Sequence, residues 1–172
     1  MPFYNRLAAV NYARMWAHSS NPVWGARENN SDCTNFVSQA LYAGGWTMVH
    51  GHPRNHDSWF AERLSSAGAG RSFTWSGAEP FCDFLQNSGR AYWVNTPNQL
   101  NYGDVVQLRD IGEGRGKVSH TMLVTRAIGN DIRLSYHTAD WLDTSYSDMK
   151  MRAGRDHTPI FWKLLDHYSL VP

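Results

Sequence analysis

No stretch of this 172-residue chain approaches the roughly 18 consecutive apolar residues of a membrane-crossing helix, so no segment reads as one. An excess of either charge is missing too: 16 basic residues stand against 15 acidic, the formal net charge is +1, and the charges are spread evenly. Without a basic stripe, nucleic acid and anionic lipid surfaces are disfavoured as partners. Cysteine is scarce. Cys33 follows Asp32 in a polar loop, whereas Cys82 sits within Phe81-Cys82-Asp83-Phe84 and reads as a small buried hydrophobe, so a structural disulfide is not expected. Glycine and proline are near ordinary usage, and no repeat or low-complexity segment is visible, which argues against solenoids and extended disorder.

What remains is a chain that is 42% hydrophobic and long enough for one sizeable core, read as a single domain over 1–172. Aromatic residues make up 13%, with eight Trp and eight Tyr. Such flat amphipathic side chains either fill a core or line a groove that holds sugars or peptides.

From Asn5 to about His18, apolar residues approximate a helical stripe that Asn5 can cap. Turn formers from Ser19 to Ser31 then make a loop. Phe36, Val37, Ala40 and Leu41 mark one face of a second helix over Cys33 to Ala43, with Asp32 as its N-cap candidate and Gly44-Gly45 as its end. Trp46 to Thr74 is a long excursion with at most a short helix near Trp59 to Leu64. A third helix follows Ser76-Gly77 and ends near Ser88-Gly89. After Arg90 come short strand-like runs at 92–94, 104–108, 119–126, 131–137 and 159–163. Gly129-Asn130 predicts a hairpin that places His120 and His137 on neighbouring strands. Helices first and an antiparallel sheet afterwards define an α+β domain.

A thiol is a useful nucleophile only as thiolate, and a helix N-terminus favours that form through its unpaired amides. Cys33 occupies such a position. Its amide can also donate to an oxyanion, although the Asp32 carboxylate opposes thiolate formation if it faces the sulfur. Of eight histidines, six fall in loops or at element ends. His120 opens an apolar strand and is the candidate general base. His137, with Asp140 as its rival, is the candidate to orient the His120 imidazole.

The segment Asp32-Cys33-Thr34-Asn35-Phe36-Val37-Ser38-Gln39 followed by Leu41-Tyr42-Ala43-Gly44-Gly45 closely resembles the signature of the bacterial putative amidase domain family. That family falls in the NlpC-like and CHAP-like branch of papain-like cysteine hydrolases. Tyr4 to Ala13, Gly103-Asp104-Val105-Val106, Ser119 to Val124 and Ser135 to Asp140 resemble its other motifs in the same order, so the resemblance covers nearly the whole chain. It implies a papain-like fold with the cysteine helix packed on the sheet, catalysis by Cys33 and His120, no cofactor, and His137 at the third catalytic position. The separation of 17 residues between the two histidines leaves Asp140 open instead.

The substrate the resemblance implies is peptidoglycan or a muropeptide, cut by a monomeric amidase or endopeptidase of the phage-lysin or antibacterial-effector type. A Trp-rich cleft from Trp24, Trp46, Trp59, Trp75 and Trp141 would suit it, with Asp32, Trp59 and Trp141 as substrate-binding candidates. The first residues lack the layout of a signal peptide. A wall hydrolase of this kind is therefore expected to reach the wall, periplasm or cell exterior by lysis, by a secretion machine or by processing from a larger protein, and an immunity protein is a further expected partner. Competing readings are a glutamine deamidase or transglutaminase using the same thiol, an inactive wall-binding relative, and a metallohydrolase built on His50, His52 and His56 with Cys33 or Asp57.

Overall fold

The computed structural model describes residues 2–24, 32–62, 70–112 and 116–169. Helices come first and strands follow. Helix α1, Arg6–Trp16, starts where the Asn5 side chain accepts the Ala8 amide at 3.0 Å. Helix α2, Cys33–Ala43, is buried from Cys33 to Leu41 and packs between α1 and the sheet. Its end is set by Gly45 at φ +95, where a Cβ would come 2.8 Å from the Phe3 carbonyl oxygen. A short α3, Phe73–Ser76, and then α4, Ala78–Asn87, complete the helical layer before the sheet.

The sheet comprises β1 (Ala91–Val94), β2 (Val105–Asp110), β3 (Val118–Ile128), β4 (Asp131–Tyr136), β5 (Trp141–Ser145) and β6 (His157–Leu164). Every pairing is antiparallel, in the order β1-β6-β2-β3-β4-β5, and α5, Tyr146–Ala153, connects β5 to β6. Among the described residues this is a mixed α+β fold of five helices and six strands. The β3–β4 hairpin turns at Gly129-Asn130 as its sequence implies, with Gly129 taking the positive φ.

Alternation along the strands sorts side chains onto two faces. Val105, Leu123 and Trp162 join Phe36, Leu41 and Trp46 beneath the helices, while Val106, Met122, Val124 and Phe161 face the other way, toward Met149 of α5. Register shifts where Leu108 faces His120 but Arg109 faces Val118, so Ser119 is the extra residue of a bulge immediately before His120.

Three expectations change. The proposed helix near Trp59 is instead extended, since Trp59 and Ala61 form isolated bridges with Val49 and Arg71; Leu64 lies outside the described residues. Trp24, Trp46, Trp59 and Trp75 are all buried, so most of the aromatic excess fills the core and no cleft is built from them. Elements α3, β5 and α5 had no counterpart in the sequence reading. The expected absence of a structural disulfide fits two free, buried cysteines.

Candidate active site

Asp32 occupies the N-cap position of α2, and its carbonyl accepts the Phe36 amide at 2.9 Å. Its carboxylate does not cap the helix. One oxygen accepts from the Asn35 carboxamide at 2.6 Å, and the other meets His137 Nδ1 at 2.9 Å. The Asn35 side-chain oxygen in turn accepts Trp75 Nε1 at 2.7 Å. Because Asp32 is diverted in this way, the first-turn amides of α2 receive no side-chain cap among the described residues.

His137 lies just beyond β4 and is 2% exposed. Its Nε2 meets the Trp16 carbonyl oxygen at 2.9 Å, and its ring stacks on Phe36 with centroids 4.1 Å apart. The Asp32 carboxylate and the Trp16 carbonyl thus each face one ring nitrogen of His137. With both nitrogens committed, His137 joins the end of α1 and the start of α2 to the end of β4. It is not aimed to orient His120. Asp140, the other candidate, sits half-buried in the turn before β5 at φ +55.

Cys33 is 6% exposed, and its sulfur lies 3.8 Å from the Thr34 hydroxyl. That hydroxyl is 2.9 Å from Thr121 Oγ1, which ties the first turn of α2 to β3. Burial pushes the Cys33 thiol up; hydrogen bonding from the Thr121 backbone and from the Thr34 side chain and backbone pulls it down, and the Asp32 charge adds a smaller upward push. The resting sulfur is therefore a protonated thiol.

His120 is the residue next to Thr121, yet its side chain leaves β3 on the opposite face. The ring meets Tyr136 edge-on, with centroids 4.9 Å apart. Burial, aided by the neighbouring charge of His157, lowers its pKa to about 4, so the imidazole is neutral at pH 7. No hydrogen bond joins His120 to Cys33 among the described residues. His120 also lines a cavity of about 280 Å³ whose wall includes Leu108, Tyr136, Trp141, Arg152 and His157. Of the proposed substrate-binding residues, Trp141 is at this cavity and Asp32 is beside Cys33. Trp59 is corrected: it is completely buried and donates to Ser38 Oγ at 3.1 Å.

The histidines of the excursion do not converge. His56 pairs with Asp83 at 2.7 Å and His50 stacks on Phe60, and among the described residues no three His, Cys, Asp or Glu side chains are grouped to hold a metal ion. The sequence reading missed the roles of Thr34, Thr121 and Arg152. The signal for the first was present in α2, where Thr34, Asn35, Ser38 and Gln39 are polar and yet buried.

A buried thiol at the start of a helix packed against an antiparallel sheet marks the candidate site of this α+β protein. The chain belongs to the family described as the putative amidase domain, whose profile matches residues 3–161, and this membership points to a hydrolase acting on amides. It is 38% identical to the uncharacterized protein YhbB of Bacillus subtilis (strain 168) over 125 residues, covering 70% of this chain and 37% of that protein. It is also 26% identical to the uncharacterized protein YjcM of the same organism over 151 residues, covering 88% of this chain and 35% of that protein. The chain thus spans little more than a third of the length of these relatives. No solved structure matches it significantly.

Proposed function

We propose that the protein is a cysteine-dependent amide hydrolase of the papain-like, NlpC-like kind, with Cys33 as nucleophile and His120 as general base. The observation that carries this reading is the position of the Cys33 sulfur, set at the uncapped first turn of α2 and beside the β3 peptide that links His120 to Thr121.

His120 takes the thiol proton as sulfur attacks the substrate carbonyl carbon, and the Cys33 amide donates to the developing oxyanion. Collapse breaks the C–N bond, with the proton passing from His120 to the departing amine. Water, deprotonated by the same imidazole, then cleaves the thioester and restores the thiol. Of the two candidate histidines, only His120 has ring nitrogens not already held by acceptors in the described structure. Because the His120 side chain leaves β3 on the face away from α2, proton transfer requires its ring to move around the strand backbone or a water to relay the proton. Trp141 faces the substrate on the His120 side.

Peptidoglycan, cut at an amide of its peptide portion, is the substrate we infer, with action in the wall, periplasm or cell exterior. Mass spectrometry of purified sacculi after incubation with the wild-type protein should show fragments whose masses identify the bond. The Cys33→Ala protein, with an unchanged circular dichroism spectrum, should release none. Fragments from both proteins in equal amount would overturn the thiol mechanism, and fragments from neither across several wall types would overturn the substrate.

A further inference from the structure

On the sheet face away from α2, the cavity beside His120 has a distinctive charge pattern. Its lining includes Arg152, His120 and His157 but no aspartate or glutamate. His157 is already satisfied, with Nε2 3.0 Å from Asp110 and Nδ1 2.6 Å from the Ala153 carbonyl. His120 is neutral. His157 faces Asp110, so Arg152 is the cation of this lining that no carboxylate pairs with among the described residues.

Arg152 is also held in place. Its guanidinium carbon lies 3.9 Å from the centroid of the Trp141 ring, within range for a cation–π contact. Nη2 donates to Thr144 Oγ1 at 2.6 Å and is 3.4 Å from the Tyr136 hydroxyl. A guanidinium has five donors in a planar fork, so these contacts fix its plane while leaving donors for a ligand. Arg152 is exposed, yet an aromatic ring on one side and hydroxyls behind it reduce the ordering cost its side chain meets on binding.

We propose that this cavity receives the part of the substrate flanking the scissile amide, and that Arg152 binds a free carboxylate which that part carries. The substrate class is thereby narrowed to acidic peptides, and Arg152 becomes a specificity residue that discriminates a carboxylate from its carboxamide. The placement of substrate rests on the proposed role of His120, whereas the carboxylate site itself stands on the cavity and its charges.

The two claims are separable by experiment. Binding of N-acetyl-L-alanyl-D-glutamate and of its dicarboxamide to the Cys33→Ala protein is measured by calorimetry at low salt, so that turnover plays no part. The acid should bind about ten-fold more tightly than the amide, the size expected of a hydrogen-bonded charge pair at a partly wet site. Arg152→Gln should abolish the difference, and Arg152→Lys should restore part of it, all three proteins melting at the same temperature. Equal binding of acid and amide, no measurable binding of either, or a difference that persists in Arg152→Gln would overturn the carboxylate site. If acid preference is found but the wild type cleaves no acidic peptide, the catalytic reading of His120 fails and the site stands alone. Cys33-dependent cleavage without acid preference has the opposite meaning and sinks the inference.

Discussion

Asp32 bears a carboxylate whose side chain is only 9% exposed, held between His137, itself 3% exposed, and Asn35. Taking away one member of such a pair leaves the other charge buried without compensation, which is more costly than the pair is stabilising. His137→Ala should therefore destabilise the protein by about 3 kcal/mol or more in urea unfolding. It should also shift iodoacetamide alkylation of Cys33 to higher pH, because the Asp32 carboxylate beside the sulfur would lose a hydrogen-bond partner. Asp32→Asn added to His137→Ala should recover much of that loss in a double-mutant cycle. Loss of stability without recovery would mean that the His137 ring acts through its packing on Phe36 alone.

At the scale of elements, the Gly-Asp-Val motif ties α1 to the sheet. The Arg6 guanidinium reaches Asp104 Oδ1 at 2.6 Å, and that carboxylate also accepts the amides of Leu164 at 2.9 Å and Asn101 at 2.7 Å. Gly103 precedes it at φ +83, where an added Cβ would lie 3.0 Å from both Arg6 Cβ and the Tyr4 hydroxyl. Gly103→Ala should cost about 1–3 kcal/mol from the backbone alone, with more from displaced Arg6. A measured loss below the lower bound would show that α1 shifts freely.

The same scale shows what could be read from sequence. Helix α2 was legible from end to end because apolar spacing and Gly44-Gly45 agree, and Cys33 was legible as its first residue. Helix α5 was not, since Met149 is its only buried side chain and a helix so exposed leaves no apolar stripe. The Trp59 segment defeated the reading for another reason: burial of large aromatics in bridged, extended chain looks locally like a short helix. In the site, His137 stands out in the sequence but its partners do not, because Asp32 and Trp16 lie 105 and 121 residues away. The opposite facing of His120 and Thr121 depends on register and on the bulge at Ser119, which no local pattern specifies.

The whole molecule covers its sheet unequally, with α1 to α4 over one face and α5 over the other, and His120 belongs to the face that α5 covers. Its folded pKa of about 4 lies below the ordinary histidine value of 6.5 because burial, with a contribution from His157, penalises the imidazolium. Between these two values the unfolded chain binds the proton that the folded protein refuses, so stability falls as pH drops from about 6.5 to about 4 and this contribution then levels off. Carboxylates add their own acid sensitivity, and comparison with His120→Leu isolates the histidine. Thermal melts across this range should show a steeper decline for wild type than for His120→Leu, with the two slopes converging above pH 7. His157 keeps its Asp110 partner in both proteins. Parallel declines would mean that His120 is hydrated enough to accept its proton in the folded state, and the acid limb of amide hydrolysis should then lie near that of an ordinary histidine instead of near pH 4.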